Sequence, residues 1–234
     1  MKYKNITKGI FLSRPNRFIA KVKIGDAEET VHVKNTGRCR EILIPGCTVY
    51  LEKSDNAARK TAYDLIAAEK ETPSGTLLIN IDSQIPNYCA EEFLRSSGLF
   101  GDSAVIKREV TYGNSRFDLM VQNNNITAFV EVKGVTLEND GQTLFPDAPT
   151  IRGVKHLTEL IKAKKEGYDA YVLFVIQMSG VREFSPNGTM HPEFARALSE
   201  AKENGVKILA YDCLVTPDTI TINSPVFVNL SKSY

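Results

Sequence analysis

Apolar and polar positions alternate most cleanly over residues 115–121 (SRFDLMV) and 126–133 (ITAFVEVK), on either side of the polar stretch Gln122-Asn123-Asn124-Asn125. A side-chain period of two broken by an Asn-rich segment predicts a β-hairpin. A two- or four-residue loop pairs Val121 with Ile126, Leu119 with Ala128 and Phe117 with Val130. In that register Phe117, Leu119, Val121, Ile126, Ala128, Val130 and Val132 share one apolar face. Arg116, Asp118, Met120, Thr127, Phe129, Glu131 and Lys133 share the other.

The pattern elsewhere changes period. Residues 170–177 form an unbroken apolar run, as expected of a strand covered on both faces. Before it, Ile151, Val154, Leu157, Leu160 and Ile161 recur at helical spacing and predict a helix over 151–166 that buries them. Thr150 is placed to cap that helix, and Pro149 limits extension backwards. A second crossover follows, with a helix over 192–204, Gly205 as its stop and a strand over 206–213. The N-terminal part instead shows short strand-like segments at 9–12, 18–24, 30–33, 48–52, 62–69 and 76–82, punctuated by Gly25-Asp26, Pro45-Gly46 and Pro73-Ser74-Gly75. These predict a small β-barrel over residues 1–84. Residues 85–234 are expected to form an α/β domain with a mixed central sheet. It opens with a helix over 87–97 that Asn87 caps and that turns Ala90, Phe93 and Leu94 inward.

Composition narrows the class. At 234 residues the chain has ample surface to bury two cores. It has no apolar run of membrane-spanning length, and no secretory leader is read at the start, so a cytoplasmic setting without membrane contact is expected. Cys39, Cys47, Cys89 and Cys213 are scattered, with no zinc spacing and no disulfide pattern. Net charge is only +1. Residues 1–90 carry 14 Lys+Arg against 10 Asp+Glu (+4), and the remainder 15 against 18 (−3). This excludes a strongly basic coat protein but not a locally basic groove.

The candidate chemistry lies on the hairpin. Glu131 falls diagonal to Asp118, within reach of a shared ligand, and Lys133 projects to the same side. Two carboxylates are hard oxygen ligands suited to Mg²⁺ or Mn²⁺, and a nearby ammonium suits a water or a growing phosphorane charge. The same residues also make a solvated cross-strand salt network, with Arg116 opposite Glu131, and an isolated Glu-x-Lys triplet has little specificity. Arg152, Lys155 and His156 share a stripe at the start of the 151–166 helix, a ready phosphate site. In the N-terminal part, Arg14, Arg17, Arg38, Arg40, Arg59 and Lys60 are placed to track a phosphate backbone. Phe11 and Phe18 are the candidates for base stacking, with a core position favoured for Phe18.

Taken together, FLSRPNRF (11–18), NTGRC (35–39), IPG (44–46), RKT (59–61), IDS (81–83), PN (86–87), RFD (116–118), VEVKG (130–134) and RGVKHL (152–157) make the chain resemble the sugar fermentation stimulation protein (SfsA) family from end to end. The order of acidic strand, Glu-x-Lys strand, crossover helix and parallel strand resembles the PD-(D/E)xK restriction-endonuclease-like core, although Phe117 rather than Pro precedes Asp118. The resemblance implies an N-terminal OB-like barrel, a nuclease-like α/β domain and DNA as partner. It makes Asp118, Glu131 and Lys133 the catalytic candidates. Folds of this type often add a carboxylate from the opening helix, which makes Glu91 or Glu92 a candidate further metal ligand; an acid in a first helical turn needs no such role. Three functions stay open: a metal-dependent nuclease acting on DNA or another nucleic acid, a non-catalytic DNA-binding regulator of sugar (maltose) metabolism, and an enzyme of small phosphates. A homodimer is an assembly open to any nuclease acting on duplexes.

Overall fold

The computed structural model describes residues 1–124 and 126–231. Six strands come first: β1 (Ile6–Asn16), β2 (Ile19–Ile24), β3 (Ala27–Val33), β4 (Thr48–Lys53), β5 (Tyr63–Thr72) and β6 (Gly75–Asn80). They pair in the order β3-β2-β1-β4-β5-β6, and a parallel β3–β5 contact (His32↔Asp64, Val33↔Leu65) closes the sheet into a barrel. Alternation drives this closure. In β2 and β4 every second residue (Ala20, Val22, Val49, Leu51) is buried, and with Phe11, Val31, Leu65 and Ile79 they fill the interior. All six expected strands are present, with β1 and β5 longer than the pattern suggests.

The second half runs α1 (Ile85–Ser96), β7 (Val105–Tyr112), β8 (Ser115–Asn123), β9 (Ile126–Val135), β10 (Leu137–Asn139), β11 (Gln142–Phe145), α2 (Ile151–Lys165), β12 (Asp169–Ile176), β13 (Glu183–Pro186), α3 (Pro192–Glu203), β14 (Lys207–Val215), β15 (Ile220–Pro225) and β16 (Phe227–Val228). The main sheet has the order β15-β14-β12-β9-β8-β7, with β12 parallel to both β9 and β14 and the other pairs antiparallel. As the apolar run predicts, β12 is covered on both sides. Tyr171, Leu173 and Val175 pack towards α1, while Val172, Phe174 and Ile176 pack towards α2 and α3. A small sheet, β10-β11-β13-β16, is added beside the main one. Its strands of two to four residues are too short to show a period.

Three expectations about these elements are corrected. The hairpin pairs Val121 with Ala128 and Leu119 with Val130, two residues away from the expected register, and Asn123 meets Ile126. The loop is therefore shorter than 122–125; of the expected turn, Asn125 lies outside the described residues. A slip of two preserves which face each residue takes, so most of the apolar face survives. Phe117 is the exception. It joins Phe129, Tyr112 and His156 on the α2 side, whereas Leu119 and Val121 pack on the α1 side, so alternation breaks at Asp118. Ile151, expected in the core, is 84 % exposed, because α2 turns Gly153, His156, Leu157, Leu160 and Ile161 inward instead. Thr150 does cap α2, its Oγ1 accepting the Gly153 N–H at 3.0 Å. Asn87 does not cap α1: the cap position is Gln84, and Asn87 lies inside the first turn.

The two halves lock together around Gln177. Its amide Nε2 donates to Asn80 O (3.1 Å), Asn80 Oδ1 (3.0 Å) and Asp82 O (3.0 Å), while Asn80 Nδ2 donates to the Tyr3 hydroxyl at 2.9 Å. Gly134 is the close-approach point of this junction. A Cβ there would lie 2.6 Å from Gln177 Oε1 and 2.7 Å from Pro86 Cγ. Gly134→Ala is therefore expected to destabilise the protein by about 1–3 kcal/mol, the usual cost of overpacking, read as a lower denaturant midpoint in urea unfolding.

Candidate active site

The break in alternation at Asp118 is what builds the site. Pairing of β8 with β9 ends at Leu119–Val130, and on the neighbouring strand Glu109 takes a φ of +55°. Where the strands part, Asp118 Oδ2 accepts the Val132 N–H at 2.8 Å and Oδ1 accepts Asn87 Nδ2 of α1 at 3.0 Å. The side chain is thus held from both sides by neutral donors, with no guanidinium on it.

Glu131 is 2 % exposed. Its Oε1 accepts Lys133 Nζ at 2.5 Å and a short hydrogen bond from His156 Nδ1. Arg152 Nε donates to His156 Nε2 at 3.3 Å, which assigns the ring proton to Nδ1 and makes the imidazole a donor to the carboxylate. The other Glu131 oxygen, Oε2, is buried and takes no hydrogen bond among the described residues. A buried carboxylate oxygen with nothing on it costs free energy unless something else meets it.

The two acids are pushed in opposite directions. Burial raises the Asp118 carboxyl above its ordinary value, and the neighbouring Glu131 charge adds to this. Burial would raise Glu131 as well, but the bonds from His156 and Lys133 outweigh it and hold Glu131 below the usual carboxylate range. Glu131 is thereby made the stronger acid of the two and Asp118 the weaker, the divergence expected of two close acids. A divalent cation between them would remove the repulsion and meet the orphaned Oε2, so the donor set fits a hard ion. Among the described residues no group of three or more His, Cys, Asp or Glu side chains gathers for a metal. Further ligands would have to be carbonyls, waters or substrate oxygens, which is the habit of Mg²⁺.

Matches to known proteins cover nearly the whole chain. Residues 12–81 match the family model described as the SfsA N-terminal OB domain, and residues 84–219 the one described as the sugar fermentation stimulation protein RE domain. The chain belongs to the sugar fermentation stimulation protein family. It is 55 % identical over 230 residues to the sugar fermentation stimulation protein homolog of Clostridium beijerinckii, covering 98 % of this chain and 100 % of that one. The homolog of Desulfitobacterium hafniense strain DCB-2 is also 55 % identical over 230 residues, covering 98 % and 99 %. The solved structure of Pyrococcus furiosus SfsA in complex with Ca²⁺ superposes with a TM-score of 0.84 at 30 % identity, covering 98 % of each chain. No helix among the described residues is long and apolar enough to cross a membrane.

The remaining sequence candidates of this SfsA chain divide into committed and free groups. Arg14 of the OB domain donates to the carbonyls of Gly37 (2.8 Å), Arg38 (2.9 Å), Arg17 (2.8 Å) and Asn35 (2.5 Å), so it staples two loops together. Arg59 makes a two-point pair with Asp64, and with Lys34 and His32 holds that carboxyl down to about 2 against the effect of burial. Arg17, Arg38, Arg40 and Lys60 are exposed. Phe18 is 48 % exposed, with the Arg17 guanidinium 5.2 Å from its ring centre, whereas Phe11 is buried. The expected core position of Phe18 is thus corrected: it sits just before β2, where its neighbour Ile19 turns in.

In the RE domain Arg152 and Lys155 are exposed, and Lys155 Nζ donates to Asn114 O at 2.6 Å. His156, read from the sequence as part of the same stripe, is buried against Glu131. Glu91 is paired with Arg95 and Arg108, and Glu92 with the N-terminal amine. The α1 side chain that reaches Asp118 is Asn87. Arg116 pairs with Glu109, not with Glu131, so the expected cross-strand salt network does not form around the acids. Replacing His156 by Ala is expected to weaken divalent-ion affinity about 10–100-fold, the usual effect of losing an outer hydrogen bond to a ligand, with Gln restoring part of it. Calorimetric titration with Mn²⁺ measures this.

Proposed function

We propose that this protein is a metal-dependent phosphodiesterase acting on nucleic acid, with DNA as the expected substrate. The observation that carries the reading is the buried, unpartnered Glu131 Oε2 beside Asp118 and Lys133. Asp118 and Glu131 would hold Mg²⁺ or Mn²⁺, and the Ca²⁺ named with the Pyrococcus furiosus structure is an ion of the same hard, oxygen-seeking kind. Bound there, the ion would polarise a phosphoryl oxygen and lower the pKa of a water.

The chain's own groups supply the rest. Lys133, held by Glu131, keeps an ammonium at the mouth of the site, where its remaining N–H bonds suit a water or a phosphate oxygen. Arg152 and Lys155, exposed on the first turns of α2, suit the flanking phosphates. Exposed Arg17, Arg38, Arg40 and Lys60 of the OB domain form the positioning surface, and half-exposed Phe18 offers a stacking ring.

A second reading, DNA binding without cleavage, is favoured by the lack of a third acidic ligand among the described residues. Cleavage assays on single- and double-stranded DNA and RNA with Mg²⁺ or Mn²⁺ separate the two. The nuclease reading expects divalent-dependent products from the wild type and none from Glu131→Gln; binding with no products supports the regulator. The Arg38→Ala and Arg40→Ala variants are expected to bind DNA more weakly whatever its sequence. Each lowers the slope of log affinity against log salt by about 1, measured by fluorescence anisotropy.

A further inference from the structure

Between the OB and RE domains lies a cavity of about 190 Å³, lined by Asn35, Thr36 and Gly37 from the loop after β3, Thr136 after β9, Asp147 before α2, and Gln177 after β12. We propose that this cavity is a base-recognition subsite that holds a guanine of the substrate strand next to the Glu131–Lys133 strand. The inference deepens the nucleic-acid reading above and rests on it.

Position is the first argument. The lining residues Gly134, Val135 and Thr136 continue β9 directly from Lys133, so the cavity begins within roughly 7 Å of the Lys133 backbone along the strand. On its other side the 35–38 loop is stapled through Arg14 to Arg17, beside exposed Phe18 and Arg38. The cavity therefore lies between the exposed OB rim and the acidic site. Its volume has room for on the order of ten water-sized groups, the scale of a purine.

Donor and acceptor accounting is the second argument. The lining amides direct N–H bonds into the protein. Asn35 Nδ2 donates to Ile81 O at 2.8 Å, and Gln177 Nε2 is taken by Asn80 and Asp82. Ser83 at the margin gives its hydroxyl proton to Lys34 O. The carboxylate of Asp147 takes no hydrogen bond or ion pair among the described residues, and Gln177 Oε1 takes no donor. The Thr36 and Thr136 hydroxyls can serve either way, but the Asp147 carboxylate and Gln177 Oε1 are acceptors only and call for N–H groups. Guanine carries adjacent N1–H and N2–H₂ donors that match the two oxygens of one carboxylate. Adenine and cytosine offer one amino group beside a ring acceptor, and thymine a single N3–H flanked by two carbonyls that a carboxylate repels. Gly37 keeps the carboxylate in place, because a Cβ there would lie 2.6 Å from Asp147 Oδ2 and 2.8 Å from Asn35 Oδ1.

The test uses the full-length protein and short labelled oligothymidylates whose central base is thymine, guanine, hypoxanthine or absent, titrated by anisotropy with divalent ions chelated. The guanine strand is expected to bind roughly ten-fold tighter than the all-thymine strand. Hypoxanthine, lacking the N2 amino group, should fall between them. Asp147→Asn should erase the difference while leaving the all-thymine affinity unchanged, and Gly37→Ala should reduce it. Equal binding of all four strands, or a guanine preference that survives Asp147→Asn, overturns the subsite. If the all-thymine strand is nevertheless cut in Mg²⁺, the nuclease reading stands alone. No binding and no cleavage overturn both.

Discussion

Replacing Lys133 by Met is expected to lower the proposed divalent-dependent cleavage rate by about 10²–10³-fold, the range for removing one preorganised donor from a reacting centre, and to leave the affinity for DNA nearly unchanged. Met keeps an unbranched stem of similar length, and His156 still holds Glu131, so the fold and the ligand geometry are expected to survive. What is lost is the ammonium that Glu131 keeps at the site. With phosphate tracking assigned by the proposal to Arg17, Arg38, Arg40 and Lys60, the loss is expected to fall on kcat and spare KM. The double variant Arg38→Ala/Arg40→Ala is expected to show the reverse split. Single-turnover cleavage of a labelled duplex, with binding measured in parallel, reads both. A Lys133 variant that cuts at the wild-type rate removes the residue from the chemistry.

Asp118→Asn is expected to raise the thermal midpoint of the metal-free protein at neutral pH and to abolish the proposed divalent-ion binding. The carboxyl of Asp118 sits above its ordinary value because it is buried and faces Glu131. A group whose folded value is raised binds its proton more tightly when folded. Metal-free wild type therefore loses stability as pH rises from the ordinary carboxylate value through the raised one. Asn carries no charge and can still accept the Val132 N–H, with Asn87 turning its amide to match, so the variant lacks that loss. The gain is read as a higher midpoint, each ~1 kcal/mol being worth ~2–4 °C in a chain of this size. Glu131 acts with the opposite sign: its folded value is lowered, so its contribution is present above the ordinary value and fades as pH falls through the lowered one. Adding Mn²⁺ should raise the midpoint of the wild type and not that of the variant. Differential scanning calorimetry from pH 4 to 8 tests each of these statements.

Much of this arrangement is legible in the residue pattern, and the exceptions have physical causes. The barrel strands and the buried run of β12 follow from period and length alone. The β8–β9 register does not, because turn geometry fixes it and an Asn-rich loop permits several lengths; the error of two residues was harmless only because the pleat repeats every two. The site depends on a break in that repeat at Asp118, and no pattern of apolar and polar residues announces a break. His156 reads as one of a polar helical stripe, since sequence spacing cannot show that a rotation of α2 buries it against Glu131 and exposes Ile151. Phe18 reads as core for the same reason any aromatic does, although its place beside a β-turn leaves it half in solvent. Asn87 is misassigned because a helix's opening Asn usually caps it. Here Pro86 already occupies the first turn, and the amide is free to reach Asp118. The short strands of the small sheet, and the base-sized cavity beside them, arise from tertiary pairing alone.

The most direct measurement is calorimetric titration of Mn²⁺ into the wild type, Asp118→Asn and Glu131→Gln at pH 7.5. One ion per wild-type chain, with binding lost in both variants, is the predicted result. Undiminished binding in both variants, or no binding to the wild type, contradicts the joint site at Asp118 and Glu131.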